Sequence, residues 1–439
     1  MRKLETAFGP RLAVIGVHSA KFLAEQQSER VGYAVLKHGI AHAVVNDVDM
    51  AIWQSFGVSA WPTLMFIDPD GRVFASHSGE FAYGPMHAAI EALLAQFATE
   101  SDLDNSPLPH LEEPDSAGLL RYPGKVLADP DRDRLFIADS GHHQIVECNL
   151  RGTILRRFGT GTAGLQDSEA KQVRFSNPQG MAISRDGRTV FVADAGNHAL
   201  REIDLHSGQI RTAGGNGERG MLTQVQQGRE AELASPWDLA WMGDRLWIAM
   251  AGMHQLWEYD PVTGSFWVAA GTGAESIHDG PLQEATFAQP MGVASLGESL
   301  FVADSESSAV RRIDTETGRV RKIVGRGLFH YGDVDARGDS VRLQHPQGIA
   351  ARAENGLQEV FVADSFNDKI KRLAPVTREV VTIAGGGGPG FANGDAAEAT
   401  FREPGGLSLA GNSLYIADTN NHAVRRLDLA TNLVSTVVV

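Results

Sequence analysis

A single cysteine, Cys148, stands in a chain of 439 residues. No intrachain disulfide can form, and no dithiol is present, since thiol exchange needs an attacking thiolate and a resolving partner. A lone thiol fits a reducing compartment, so a cytoplasmic location is the expectation. Basic charge is also scarce: 39 Lys and Arg against 54 Asp and Glu leave a net charge of −15. Phosphate backbones are held by clustered Lys and Arg, so nucleic acid is not an expected partner. The pairs Arg311-Arg312 and Arg425-Arg426 are isolated and sit near acids. Long apolar runs are missing as well. No stretch nears the roughly 20 residues needed to cross a bilayer. Residues 1–17, broken by Glu5, Pro10 and Arg11, do not read as a secretory signal. No membrane partner is expected.

What is present is apolar substance and glycine. Hydrophobic residues make up 43% of the chain and charged residues 21%, which suits a packed core and not a disordered chain. The 48 glycines recur at intervals instead of pooling in a linker, a pattern of short strands and tight turns. The interval is set by a repeat. Leu135-Phe136-Ile137-Ala138-Asp139, then a turn, then Gln144-Ile145-Val146-Glu147 comes back five more times, ending in Asp194, Met250, Asp304, Asp364 and Asp418. The six copies lie about 54 to 60 residues apart, slightly above the usual period of a propeller blade.

Each copy holds four strand-sized pieces. A small apolar piece follows a proline, as in Pro178-Gln179-Gly180-Met181-Ala182; the phrase above gives the second and third; a run such as Val380-Val381-Thr382-Ile383-Ala384 gives the fourth. Four antiparallel strands per repeat, placed radially with their small residues at the centre, predict a six-bladed β-propeller over residues 118–439. Glycine-rich connectors join one copy to the next, among them Asp279-Gly280, Asp333 to Asp339, and Asn393-Gly394-Asp395. They should gather on one face, where loops on a rigid scaffold carry binding, so Asp279, Asp333 and Asp395 are candidate binding residues.

The Asp that closes the second strand is followed seven positions later by a cation: Asp194 with Arg201, Asp304 with Arg311, Asp364 with Lys371, Asp418 with Arg425. The third copy changes both members, to Met250 and Trp257, and the first keeps Asp139 with Val146. Paired replacement predicts structural ion pairs that lock a hairpin, and not a ring of functional carboxylates.

The turn after that Asp reads Gly141-His142-His143, Gly196-Asn197-His198, Gly252-Met253-His254 and Asn420-Asn421-His422. It resembles the Asn-His-Leu signature of NHL repeats, a family whose known forms are six-bladed propellers. Copies four and five depart from it, with Ser307-Ser308-Ala309 and Asn367-Asp368-Lys369. Equivalent histidines on different blades cannot converge on one ion, so each is expected to bond backbone, and no metal or other cofactor is expected. Residues 333–344 fail as a calcium loop because Arg337 and Gln344 stand where oxygen ligands belong. Arg337-Gly338-Asp339 resembles an integrin-binding tripeptide but occupies an ordinary connector.

Residues 1–100 alternate strand and helix patterns: a strand at 12–17, a helix at 20–38, a strand at 43–46, a helix at 50–56, then Trp61-Pro62-Thr63 before a strand, a hairpin and a last helix at 85–98. The Trp61-Pro62-Thr63 step resembles the cis-proline loop of thioredoxin-like proteins. The whole chain therefore resembles the thioredoxin-like NHL-repeat-containing protein family. In that family a central strand and the helix bearing the redox cysteines precede the strand at 12–17, so the domain here is expected to be incomplete and redox-inactive. Residues 101–117 would be a linker.

The resulting expectation is a mainly β chain, a monomer that recognises a protein or peptide through the propeller face, with Trp61 and Pro62 as secondary binding residues. Two alternatives stand beside it. One is a thiol–disulfide oxidoreductase whose cysteines lie upstream of this chain. The other is a metal-dependent propeller hydrolase or lyase, which needs ligands at the mouths of the inner strands, where Asp238 is the exception among Gly and Met.

Overall fold

The computed structural model describes residues 1–79, 81, 83–97, 106, 108, 118–220 and 226–439. The chain forms two compact units, Met1–Ser116 and Ala117–Val439. The segment read as a linker, 101–117, falls outside the described residues except at Ser106 and Leu108.

The second unit is a six-bladed β-propeller. Its blades have inner strands at Pro123–Asp129, Pro178–Ile183, Pro236–Met242, Pro290–Leu296, Gly348–Glu354 and Pro404–Ala410. Second strands follow at Arg134–Asp139, Thr189–Asp194, Arg245–Met250, Ser299–Asp304, Leu357–Asp364 and Ser413–Asp418. In every blade the four strands pair antiparallel in chain order. The second strands are apolar on both faces, as Val190, Phe191, Val192 and Ala193 show, because a neighbouring blade covers each side. Six buried apolar clusters result, one at each junction of neighbouring blades. The junction of blades six and one joins Val126, Ile137 and Val146 to Tyr415, Ala417 and Val424, with no strand exchanged between them.

A tight turn links second and third strands and ends in a left-handed residue: His143, His198, His254, Ser308, Asp368 or His422, with φ between 48° and 55°. The connectors and these turns share one face of the ring. Four connectors also lay a two-residue stretch along the outer strand of the blade they lead into. Gly280–Pro281 on Arg319–Val324 is one and Gly394–Asp395 on Leu433–Val437 another. That covers an edge that would otherwise offer unpaired backbone.

The first unit is α/β. Helix α1 (Arg2–Phe8) is followed by β1 (Ile15–His18), α2 (Ser28–Lys37), β2 (Ala43–Asn46), α3 (Ala51–Ser55), β3 (Thr63–Ile67), β4 (Val73–Ser78) and α4 (Tyr83–Gln96). Helix α2 begins eight residues later than the sequence pattern predicts. The Glu25 carboxylate accepts the amides of Lys21 and Phe22, at 3.1 and 3.0 Å, and turns that stretch away from a helical start. Strand β1 runs parallel to β2, and β3 pairs antiparallel with β4, as two separate two-stranded sheets. The core of this unit is small: Leu4, Phe8, Met86 and Ile90 form one buried cluster, with Leu64 and Phe66 packed against it, and Phe22 and Val35 are buried apart from it.

Candidate functional site

The Asp at the end of each second strand gathers three segments. Its Oδ1 accepts a backbone amide from the connector: Ser176 on Asp194, Ala288 on Asp304 and Gln344 on Asp364, each at 2.7 Å, and Arg402 on Asp418 at 2.8 Å. Its Oδ2 takes the turn residue three positions on, as in Asn197 to Asp194 at 2.8 Å. The same oxygen takes the cation seven positions on: Arg201 at 2.8 Å, Arg311 at 3.3 Å and Arg425 at 2.8 Å, all fully buried pairs. Each guanidinium then reaches back into the connector. Arg311 donates to Thr286 and His278 carbonyls and to Asp279 at 2.8 Å, with Phe287 under its plane at 5.2 Å. Arg201 does the same with Asp167, and Arg425 with Asn393.

The carboxylates proposed from sequence as binding residues are therefore placed unequally. Asp279 is bound to Arg311. Asp333 is bound to Lys371 at 2.7 Å and also to Lys369. Asp395 is exposed and caps its own turn through the Ala397 amide at 2.9 Å. Lys371 stands 3.8 Å from Asp364 and closer to Asp333 and Asp335, both at 2.7 Å. Burial works to lower the Lys371 pKa, and the three carboxylates around it raise it above its ordinary value. Burial pushes Asp194, Asp304 and Asp418 up to about 6 and Asp364 up to about 7, against the pull of their cations. Blade three replaces charge with bulk. The Ala234 amide points at Met250 Sδ at 3.3 Å, and Trp257 is wholly buried. Blade one answers Asp139 with His142 at 2.9 Å and Gln144 at 2.6 Å.

The left-handed turn residue staples each blade to the next. His143 Nδ1 accepts the Asn177 amide at 3.0 Å, His198 that of Ser235 at 2.9 Å, and His254 that of Gln289 at 3.0 Å. His422 accepts the amide of Tyr122 at 3.1 Å across the closing junction. Blade four uses the Ser308 hydroxyl and blade five the Asp368 carboxylate for the same amide. The signature histidine is thus an acceptor. Burial lowers the pKa of His254 and of His422, keeping them neutral for that role.

The axis holds a pair of which the sequence singled out Asp238 but not Lys125. Aligned on the proline before each inner strand, the third position is Lys125, Gly180, Asp238, Gly292, Gly348 and Gly406. Lys125 Nζ crosses the axis and donates to Asp238 Oδ2 at 3.0 Å, the Met291 carbonyl at 2.8 Å and the Gln347 carbonyl at 2.7 Å. Asp238 is completed by the amides of Leu239 and Val293. The glycines make room: a Cβ on Gly406 would lie 2.6 Å from Lys125 Cα, and one on Gly180 2.4 Å from Asp238 Oδ1. Burial lowers the Lys125 pKa and raises that of Asp238, each opposed by attraction to the other. All three ammonium protons are bonded, so Lys125 is not an available amine nucleophile.

In the first unit, the Trp61–Pro62 peptide bond is cis, and the Trp61 indole donates to the Ser19 carbonyl at 2.8 Å. Trp61 is 48% exposed and leans on Trp53, ring centres 4.4 Å apart. Asp47 beside them is bonded to Ser19 and to the amides of Ile52 and Trp53. Cys148 is buried between blades six and one, and burial pushes its thiol up to about 12, which removes thiolate chemistry. Among the described residues no helix is long and apolar enough to cross a membrane.

Six blades with this turn are the architecture of NHL repeats, and the NHL repeat model matches residues 401–427. The chain thus carries an NHL repeat and is similar along nearly its whole length to NHL-repeat-containing proteins. It is 37% identical over 459 residues to NHL repeat-containing protein 2 of Homo sapiens, covering 97% of this chain and 63% of that protein. It is 40% identical over 436 residues to Protein SUPPRESSOR OF QUENCHING 1, chloroplastic, of Arabidopsis thaliana, covering 95% of this chain and 41% of that protein. The chain therefore spans less than two thirds of the length of these relatives. Among solved structures, an auxiliary nutrient binding protein from Bacteroides ovatus ATCC 8483 overlays with a TM-score of 0.54 at 15% identity. The overlay covers 73% of this chain and 71% of that one, a likeness of fold alone.

Proposed function

We propose that this chain is a binding module that recognises a protein or peptide through the connector face of its propeller. The observation that carries the reading is apolar exposure on two neighbouring connectors. Phe329 is 69% exposed and Val334 46% on the one joining blades four and five, and Phe391 is 51% exposed on the next. Exposed aromatics on a rigid frame are the usual anchors of recognition, since few rotamers are lost on binding. The frame is rigid because the charged groups of the repeat are consumed in holding it. Buried cations pin the connectors, and Lys125 and Asp238 neutralise each other on the axis.

The α/β unit fits a thioredoxin-like accessory domain that is redox-inactive in this chain, with the exposed face of Trp61 as a second contact. The test is cross-linking and affinity capture with the full chain, its Phe329→Ser/Phe391→Ser variant and its Trp61→Ala variant. Partners lost on changing the two phenylalanines and kept by Trp61→Ala support the propeller face. Equal capture by wild type and the phenylalanine variant overturns it.

A further inference from the structure

We propose that the propeller axis is a cation site of ammonium size, which the protein fills with its own Lys125 Nζ. Three oxygen donors from three blades converge on that one atom: a carboxylate from blade three and main-chain carbonyls preceding the Gly292 and Gly348 positions of blades four and five. Convergent oxygens around one positive centre, with a single negative charge among them, are the chemistry of a bound cation. The distances, 2.7 to 3.0 Å, are those of N–H···O bonds to an ammonium. They are longer than the 2.3–2.6 Å that calcium demands.

The surroundings are built for this occupant. Gly406 lets the Lys125 stem pass, and Gly180 gives Asp238 its place, so side chains at those positions would displace one partner or the other. Lys125 is 3% exposed, and the Asp238 carboxylate also accepts two backbone amides, one on each oxygen. The lysine belongs to blade one and its acceptors to blades three, four and five. One cation therefore ties four of the six inner strands, including a strand at the closing junction.

The inference is tested by emptying the site and refilling it. Lys125→Ala leaves a buried carboxylate and two carbonyls without their cation, and the Tm of the full chain should fall by about 10 °C. Methylammonium or propylammonium at tens of millimolar should restore at least half of that loss with a saturable dependence. Tetramethylammonium at the same ionic strength, which has no proton to donate, should not. The Lys125→Ala/Asp238→Asn variant should show no restoration, and neither should Lys125→Met, which fills the stem's volume and leaves no room. If Lys125→Ala does not fold, refolding from urea replaces melting, and recovery confined to primary ammonium ions supports the site. The proposal is overturned if Lys125→Ala melts with wild type. It is also overturned if primary ammonium ions act no better than tetramethylammonium in either assay, or if potassium or calcium restores the variant and they do not.

Discussion

The two units solve the same problem to different depths. Every blade of the propeller is covered on both faces by its neighbours, and connectors cover outer edges as well. The α/β unit has two separate two-stranded sheets, with Ile15, Val17, Val45, Ile67, Val73 and Phe74 exposed and β4 exposed along its length. Closure lets short strands of ordinary composition become a stable body, whereas open two-stranded pairs depend on the helices beside them. The difference is one of edges more than of residues.

The largest effect expected inside the ring comes from unpairing one buried charge. Arg311→Met should cost about 3–5 kcal/mol in urea unfolding, because Asp304 is left buried without its cation. Adding Asp304→Leu should recover most of it, as blade three manages with Met250 and Trp257. Recovery of less than half would mean that the Arg311 bonds to the connector, and not charge balance, carry the cost. Between the units, amide exchange should separate sharply. Amides of β1 and β3 should exchange about 100-fold faster than those of residues 300–303, since local opening follows the sparse core. Equal protection would mean that the two units do not differ in local stability.

A smaller effect should come from the staples. His254 and His422 have pKa values lowered below the ordinary 6.5, so below that pH protons favour the unfolded chain. The stability they give is full above 6.5 and lost as pH falls through their folded values. The buried Asp carboxyls, with raised values, act with the opposite sign: their contribution is lost as pH rises through about 6 to 7. His254→Asn/His422→Asn keeps a side-chain acceptor and should cost about 1 kcal/mol at pH 7. It should also flatten the fall in Tm between pH 7 and 5, and an unchanged slope would show that other groups set it. Smallest in stability, the Cys148 thiol should resist iodoacetamide at pH 8 until the ring unfolds, which mass spectrometry reads directly.

The blades were legible because one phrase, a short apolar run closed by an Asp and a fixed turn, recurs through the chain. The Asp–cation spacing of seven was legible because a tight hairpin makes those positions diagonal neighbours on one face: Asp194 stands opposite Ala199, and Arg201 opposite Val192, two residues further along. The fate of Asp279 and Asp333 was not. An Asp in a glycine-rich loop looks directed at solvent, and its partners, Arg311 and Lys371, lie 32 and 38 residues away on another strand. Lys125 was harder still, since Asp238 is 113 residues distant and meets it only across a closed ring. Aligning the inner strands on their prolines would have exposed it, as one Lys and one Asp among four glycines.

The closing junction has one more consequence. Each blade is made of consecutive strands, and blades six and one meet through side chains, the Tyr415 hydroxyl on the Leu150 carbonyl and the Thr419 hydroxyl on that of Pro123, with no shared strand. The circle therefore has no privileged origin. A permuted chain that starts at any connector and bridges Val439 to residue 118 with a flexible tether would carry its seam elsewhere and still round off the same wheel.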